Sequence, residues 1–157
     1  MQQAASDGGL TSHCFEDLEV GMRGEYRRVI SQADVELFAR VSGDVNPLHL
    51  DPAFAGRTMF EGRIVHGMYS AAMISTVIGT RLPGPGCVYM SQNLRFLAPV
   101  RAGDEVVASA EVIELFDAKR RARLETLARV GETVVVSGEA LILVPTRAQL
   151  KVLAQAG

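Results

Sequence analysis

Asp44 and His49 stand five residues apart in the run Asp44-Val45-Asn46-Pro47-Leu48-His49-Leu50-Asp51-Pro52. A carboxylate and an imidazole held side by side can bind a water and move protons to and from it. The carboxylate supplies a base, and the imidazole a group that titrates near neutrality. Asn46 lies between them and offers a neutral amide to orient the chain. Taken alone, the pair has a plainer reading, with Asp44 capping a turn and His49 a satisfied, partly buried histidine. Pro47 and Pro52 exclude a regular helix or central strand through the whole segment. It must be a fixed loop, the setting in which a rigid scaffold places catalytic residues.

A second feature is His66-Gly67, just before the uncharged run Met68–Ile78. The first N–H groups of a helix have no intrahelical acceptor and lie at its positive end. Glycine there lets a ligand come close, so the Gly67 N–H can hold a carbonyl oxygen that gains negative charge. The plainer alternative is an ordinary helix start. His49 and His66 lack the HExxH spacing of a zinc site, so no metal is expected. Ser70, Ser75 and Thr76 are the hydroxyls of the apolar run, and each can bond back to the carbonyl four residues earlier. Lys119-Arg120-Arg121-Ala122-Arg123 is either a solvated basic face or a dock for a phosphorylated carrier.

Several elements must position these groups. Glu25–Ile30 reads as a strand. Ser31 with Asp34 three residues on forms a capping pair, and Val35, Phe38 and Val41 recur at helical spacing, which predicts a helix over Gln32–Val41 closed by Gly43. Asp51 with Pro52 starts another short helix. Met68–Ile78 is apolar or small on every side, which predicts a helix buried all round and too short to span a membrane. After Pro83-Gly84-Pro85-Gly86 the pattern alternates over Val88–Ala98, Glu105–Leu115, Ala122–Val130 and Thr133–Val144, an antiparallel meander. The fold class is α+β, one curved antiparallel sheet around a central buried helix. The organisation expected is a flexible leader over 1–14, one domain over 15–145, and a mildly helical tail over 146–157 with no assigned role.

The chain has 157 residues, the size of one domain. Its 48% hydrophobic and 22% charged residues suit a globular protein. With 16 Lys+Arg against 18 Asp+Glu and no Trp, it advertises neither phosphate binding nor base stacking, so nucleic acid is not an expected partner. Cys14 and Cys87 cannot build a disulfide framework, and the first dozen residues lack a signal peptide's cationic start and apolar core. A cytoplasmic protein that neither crosses nor docks on a membrane is the expectation.

The run Phe38–Asp51 resembles the hydratase motif of MaoC-like dehydratases, and specifically is similar to the (R)-specific enoyl-CoA hydratases. The likeness continues through Pro52–Ala55, Phe60-Glu61, Ile64-Val65-His66-Gly67-Met68, Leu94-Arg95-Phe96, Pro99-Val100 and Gly103-Asp104-Glu105, and covers roughly Phe15 to Val144. The leader and the tail after Pro145 depart from it. The resemblance implies a hot-dog fold and a homodimer with active sites near the subunit interface. It implies reversible hydration of trans-2-enoyl-CoA to (R)-3-hydroxyacyl-CoA, as in polyhydroxyalkanoate precursor supply, β-oxidation or a dedicated acid pathway. Asp44 and His49 would activate the water and deliver a proton. Gly67 would polarise the thioester carbonyl, Asn46 would shape the loop, and Ser75 would lie near the pair and the acyl pocket. CoA is then part of the substrate, and no cofactor is needed. Two alternatives stay open: a dehydratase acting on acyl carrier protein, and a non-catalytic acyl-CoA binder. A hot-dog thioesterase would want a carboxylate on the central helix, and Met68–Ile78 has none.

Overall fold

The computed structural model describes residues 9–155. Helix α1 (Gln32–Ser42) starts where the capping pair places it: Ser31 Oγ accepts from Asp34 N at 3.1 Å, and Asp34 Oδ2 accepts from Ser31 N at 2.9 Å. It ends at Gly43, whose φ of 79° is the left-handed conformation glycine adopts freely. Two single-turn helices follow, α2 (Pro47–Leu50) and α3 (Pro52–Ala55), each opened by proline at its first position. The long helix is α4 (Gly67–Thr80), and a short one, α5 (Arg147–Ala154), lies near the end of the chain.

Six strands form one antiparallel sheet: β1 (Arg23–Val29), β2 (Val88–Gln92), β3 (Arg95–Phe96), β4 (Glu105–Phe116), β5 (Arg121–Val130) and β6 (Thr133–Leu143). The order is β1-β4-β5-β6-β2, with β3 also on β6. Thus β4-β5-β6 is the expected meander, but the expected strand Val88–Ala98 does not pair with the next strand. It crosses to the far edge and bonds β6, and β1 takes the place beside β4. Alternation fixes which face a strand buries, not which neighbour it takes, so the connection through Pro99 is a crossover and not the hairpin that a meander requires. The same strand is also broken. Asn93 interrupts it, accepting from Glu139 N through Oδ1 and donating its own N–H to Glu139 O. A Cβ at Gly138 would fall 1.9 Å from Asn93 O, so glycine is what permits this approach.

The floor under α4 is made of small residues. Ala108, Ala110, Ala128 and Ala140 are buried, and Ala108 pairs with Ala128 across β4 and β5. Short side chains let the helix lie close, with Met73, Ile74, Val77 and Ile78 pressed onto the sheet. Contrary to the expectation from its composition, the helix is not buried on every side. Within this one chain the stripe Met68, Ala72, Ser75 and Gly79 is exposed, Met68 at 57%. The stripe follows helical spacing, so it is one coherent face that the chain's own sheet does not reach.

The leader lies partly outside the described residues. In its described part Thr11 N donates to Thr80 O and His13 N to Pro83 O, and at the start of the domain Phe15 N donates to Pro145 O. The tail forms α5, capped by Thr146 and Gln149, and Arg147 ties it to the start of the chain by a 2.6 Å ion pair with Asp17 and a bond from its N–H to Glu16. The Cys14 thiol and the Arg147 guanidinium, both donating to the Asp17 carboxylate, hold its pKa down at about 2, against 3.8 ordinarily. A depressed carboxylate stabilises the fold above its ordinary value, and that contribution is lost as pH falls through about 2. The melting-temperature gap between wild type and Arg147→Ala is therefore expected to be open at pH 6 and to close steadily below pH 3.8. Thermal melts across that range check it, and a gap that widens on acidification contradicts it.

Candidate active site

The site is built from the turn outward. Gly43 closes α1, and Asp44 N donates to Ser42 Oγ, whose hydroxyl in turn donates to Phe38 O at 2.7 Å. Asp44 Oδ1 accepts from Asn46 N at 3.2 Å, and Asn46 Oδ1 accepts from Leu48 N at 3.0 Å. Asn46 is thus the N-cap of α2, and Asp51 is the N-cap of α3, accepting from Ala53 N and Phe54 N. His49 rides on a single turn clamped at both ends. Its Nδ1 lies 2.8 Å from Ile64 O. A carbonyl only accepts, so Nδ1 carries the hydrogen and Nε2 keeps its lone pair for chemistry.

His66 completes the cluster. Its ring stacks on that of His49, with centroids 3.8 Å apart, and its Nε2 donates to the main-chain carbonyl of Asp44 at 2.9 Å. One nitrogen of each imidazole and a carboxylate oxygen of Asp44 all lie within 4.8 Å of one another. That set has the residue types of a divalent transition-metal site. His66 is also the N-cap of α4, so Gly67 is the first helical residue, and its N–H has no acceptor within the helix. A Cβ at Gly67 would fall 2.7 Å from two ring atoms of Phe96, so glycine is needed for that ring to cover the helix start.

These groups meet at a cavity of about 470 Å³ whose wall includes Asp44, His66, Gly67, Ser70, Phe60 and Phe96. Apolar side chains dominate the rest, the make-up of a small-molecule site with a few placed polar groups. His49 is not in the wall itself. It is 7% exposed and packs directly behind His66. Asp44, Asn46, His49 and Gly67 are therefore brought together, and Ser75 is not. It lies eight residues along α4, about 12 Å by helical rise, on the exposed stripe. Thr76 Oγ1 bonds back to Ala72 O as expected of such hydroxyls, whereas Ser70 Oγ is buried without a partner among the described residues. A second cavity of about 370 Å³ lies between α5 and the ends of β2 and β6, but no carboxylate or imidazole lines it.

A family model described as MaoC like domain matches residues 16–136. The chain belongs to the MaoC-like family. Its similarity to the 3-hydroxybutyryl-CoA dehydratase of Methylorubrum extorquens is 54% identity over 140 residues, covering 89% of each chain. It is 46% identical over 138 residues to the (R)-specific enoyl-CoA hydratase of Rhodospirillum rubrum, covering 88% of this chain and 96% of that one. Among solved structures, the unliganded R-hydratase PhaJ1 of Pseudomonas aeruginosa superposes with a TM-score of 0.83 at 45% identity, over 89% of this chain and 90% of that one. This MaoC-like chain thus has the hot-dog fold, and its relatives are hydro-lyases.

The contribution of His66 is what reading the sequence missed. Weighed only as a metal ligand, it acts in the structure through a main-chain carbonyl 22 residues away, a contact that residue types and spacing do not encode.

Proposed function

We propose that this MaoC-like protein hydrates trans-2-enoyl-CoA reversibly to (R)-3-hydroxyacyl-CoA. The observation that carries the reading is that Asp44 and the N-terminus of α4 line one apolar cavity, with a His49 nitrogen within 4.8 Å of the Asp44 carboxylate. Asp44 and the Nε2 of His49 hold a water between them. As its oxygen bonds the β-carbon, the released proton passes through the pair, which returns a proton to the α-carbon. The two groups act together, so acid and base are not divided further. Electron density moves onto the thioester oxygen, where the Gly67 N–H and the positive end of the helix stabilise it. Asn46 keeps the loop in shape. The wild-type protein is expected to consume crotonyl-CoA in an enoyl-thioester absorbance assay, more efficiently than the same acyl group on acyl carrier protein. The naming of both curated relatives for CoA thioesters supports that preference. A reversed preference would move the substrate to the carrier protein.

The proposed reaction needs no metal, because the helix terminus supplies the polarising group and the His66 Nε2 is committed to Asp44 O. Dialysis against EDTA is expected to leave the rate unchanged. A loss restored by a divalent ion would instead assign the Asp44–His49–His66 set to that ion.

The same reading makes the protein a homodimer. The chain leaves exposed the α4 stripe and, on or beside the sheet's edge strands, Val88, Met90, Phe96 and Leu97, apolar area that a symmetric pair would cover. Ser75, on that stripe, then works across the pair. Ala72→Arg is expected to convert a particle of twice the 16.9 kDa chain mass into a monomer by light scattering, with loss of turnover. An active monomer would contradict this. No helix among the described residues is long and apolar enough to cross a membrane. Both cysteines are free thiols, which suits the reducing cytoplasm.

A further inference from the structure

The geometry points to His66 as a positioning residue for this reaction: one ring that sets Asp44, His49 and the Gly67 N–H relative to one another. The inference rests on the hydratase reading above. His66 is 1% exposed and lines the cavity, but its Nε2–H is committed to the Asp44 carbonyl and so is not offered to substrate. Three contacts define what it does. Its Nε2–H holds the Asp44 carbonyl at 2.9 Å, which fixes the chain at the carboxylate-bearing residue. One face of the ring stacks on His49 at 3.8 Å, with planes 29° apart. Phe38 packs on the ring at 5.0 Å, tilted by 56°, and so keeps it against its partners. Its backbone, as the N-cap of α4, directly precedes Gly67.

The other ring nitrogen shows that this is more than packing. Nδ1 is buried and has no hydrogen-bond partner among the described residues. With Nε2–H donated to a carbonyl, Nδ1 is an unpaired acceptor, which a folded interior normally avoids. A phenylalanine would fill the same space between Phe38 and His49 without that cost. What the imidazole adds over phenyl is the donor that reaches Asp44. The ring also backs His49 while Ile64 O holds its Nδ1–H, so two carbonyls fix both tautomers and leave the His49 Nε2 lone pair available. His66 has no free proton to exchange with substrate, and it acts through its neighbours.

The test compares three variants on crotonyl-CoA, with wild type and Asp44→Asn in the same series. His66→Phe keeps the ring and removes the donor. His66→Gln places an amide N–H near the Nε2 position, and His66→Asn places one near Nδ1, short of Asp44. The phenyl variant is expected to lose about 10²-fold in kcat with KM nearly unchanged, the size of effect that a misplacement of about 1 Å produces. His66→Gln should recover most of that loss, and His66→Asn should not. If His66→Phe does not fold, the Gln and Asn variants still decide, and equal activity in the two overturns the inference. A His66→Phe enzyme with wild-type kcat overturns it too, as does a loss that only follows the folded fraction. A second readout needs no turnover: long-range ¹H–¹⁵N spectra should show His66 as the Nε2–H tautomer and His49 as the Nδ1–H tautomer, with His49 losing that single form in His66→Phe. A His66 protonated on Nδ1 overturns the inference. A wild type inactive on every enoyl thioester, with those tautomers intact, defeats the hydratase reading and leaves the positioning geometry standing.

Discussion

Replacing Asp44 by Asn is expected to lower kcat on crotonyl-CoA by about 10³-fold, within the range that a positioned acid–base group contributes. The reason is specific to how the residue is held. Asp44 is exposed at the cavity, and what its side chain does for the fold is accept one hydrogen bond, from Asn46 N at 3.2 Å. An asparagine oxygen accepts that bond equally well. The Asp44 main-chain carbonyl that His66 holds is untouched. The substitution therefore deletes the proposed acid–base carboxylate and leaves α2, the loop and the His49–His66 stack in place. Unfolding temperature and the binding of a saturated acyl-CoA should stay close to wild type. Steady-state kinetics beside a thermal melt check this, and an Asp44→Asn enzyme within tenfold of wild type would place the base elsewhere.

Gly67→Ala is expected to cost about 10²-fold in kcat/KM although no titratable group changes. The new methyl would fall 2.7 Å from Phe96 Cδ1 and Cε1, closer than carbon atoms approach, so the ring or the helix start must move by several tenths of an ångström. Either shift moves the N–H proposed to face the thioester oxygen or the ring that covers the helix start. Losing one such donor costs about 10²–10³-fold in comparable sites. The clash is with one side chain, which makes the claim separable. Adding Phe96→Ala to Gly67→Ala should return part of the activity, so that the two losses are less than additive. Full additivity would mean that the glycine matters for some reason other than this contact.

Much of the site was legible in the sequence because its construction is local. Ser31 with Asp34, Gly43, and Pro52 with its Asp51 cap each act within four residues and form as read, whereas the Asn46-capped turn Pro47–Leu50, read as loop, is a single helical turn. The central helix follows from its uncharged apolar composition, and the β4-β5-β6 meander from alternation. What was not legible is non-local. Pairing of β1 with β4 and of β2 with β6 depends on how the sheet closes over the helix, and the alternation in each strand is the same whichever partner it takes. The break at Asn93 rests on Gly138, 45 positions on. The free stripe on α4 defeats a composition argument for a further reason: an apolar face that the chain itself leaves uncovered has the same composition as one it covers. His66 belongs to the same class, since its contact to Asp44 runs through backbone and carries no side-chain signature.

The most direct test of the account follows the hand of the product. Purified protein is mixed with crotonyl-CoA and then with longer trans-2-enoyl-CoAs, enoyl-thioester absorbance is recorded, and the product is offered separately to an (R)-specific and an (S)-specific 3-hydroxyacyl-CoA dehydrogenase. The account predicts rapid loss of absorbance, oxidation of the product by the (R)-specific enzyme alone, and neither signal with Asp44→Asn. No loss with any enoyl-CoA, or a product taken by the (S)-specific enzyme, would contradict it.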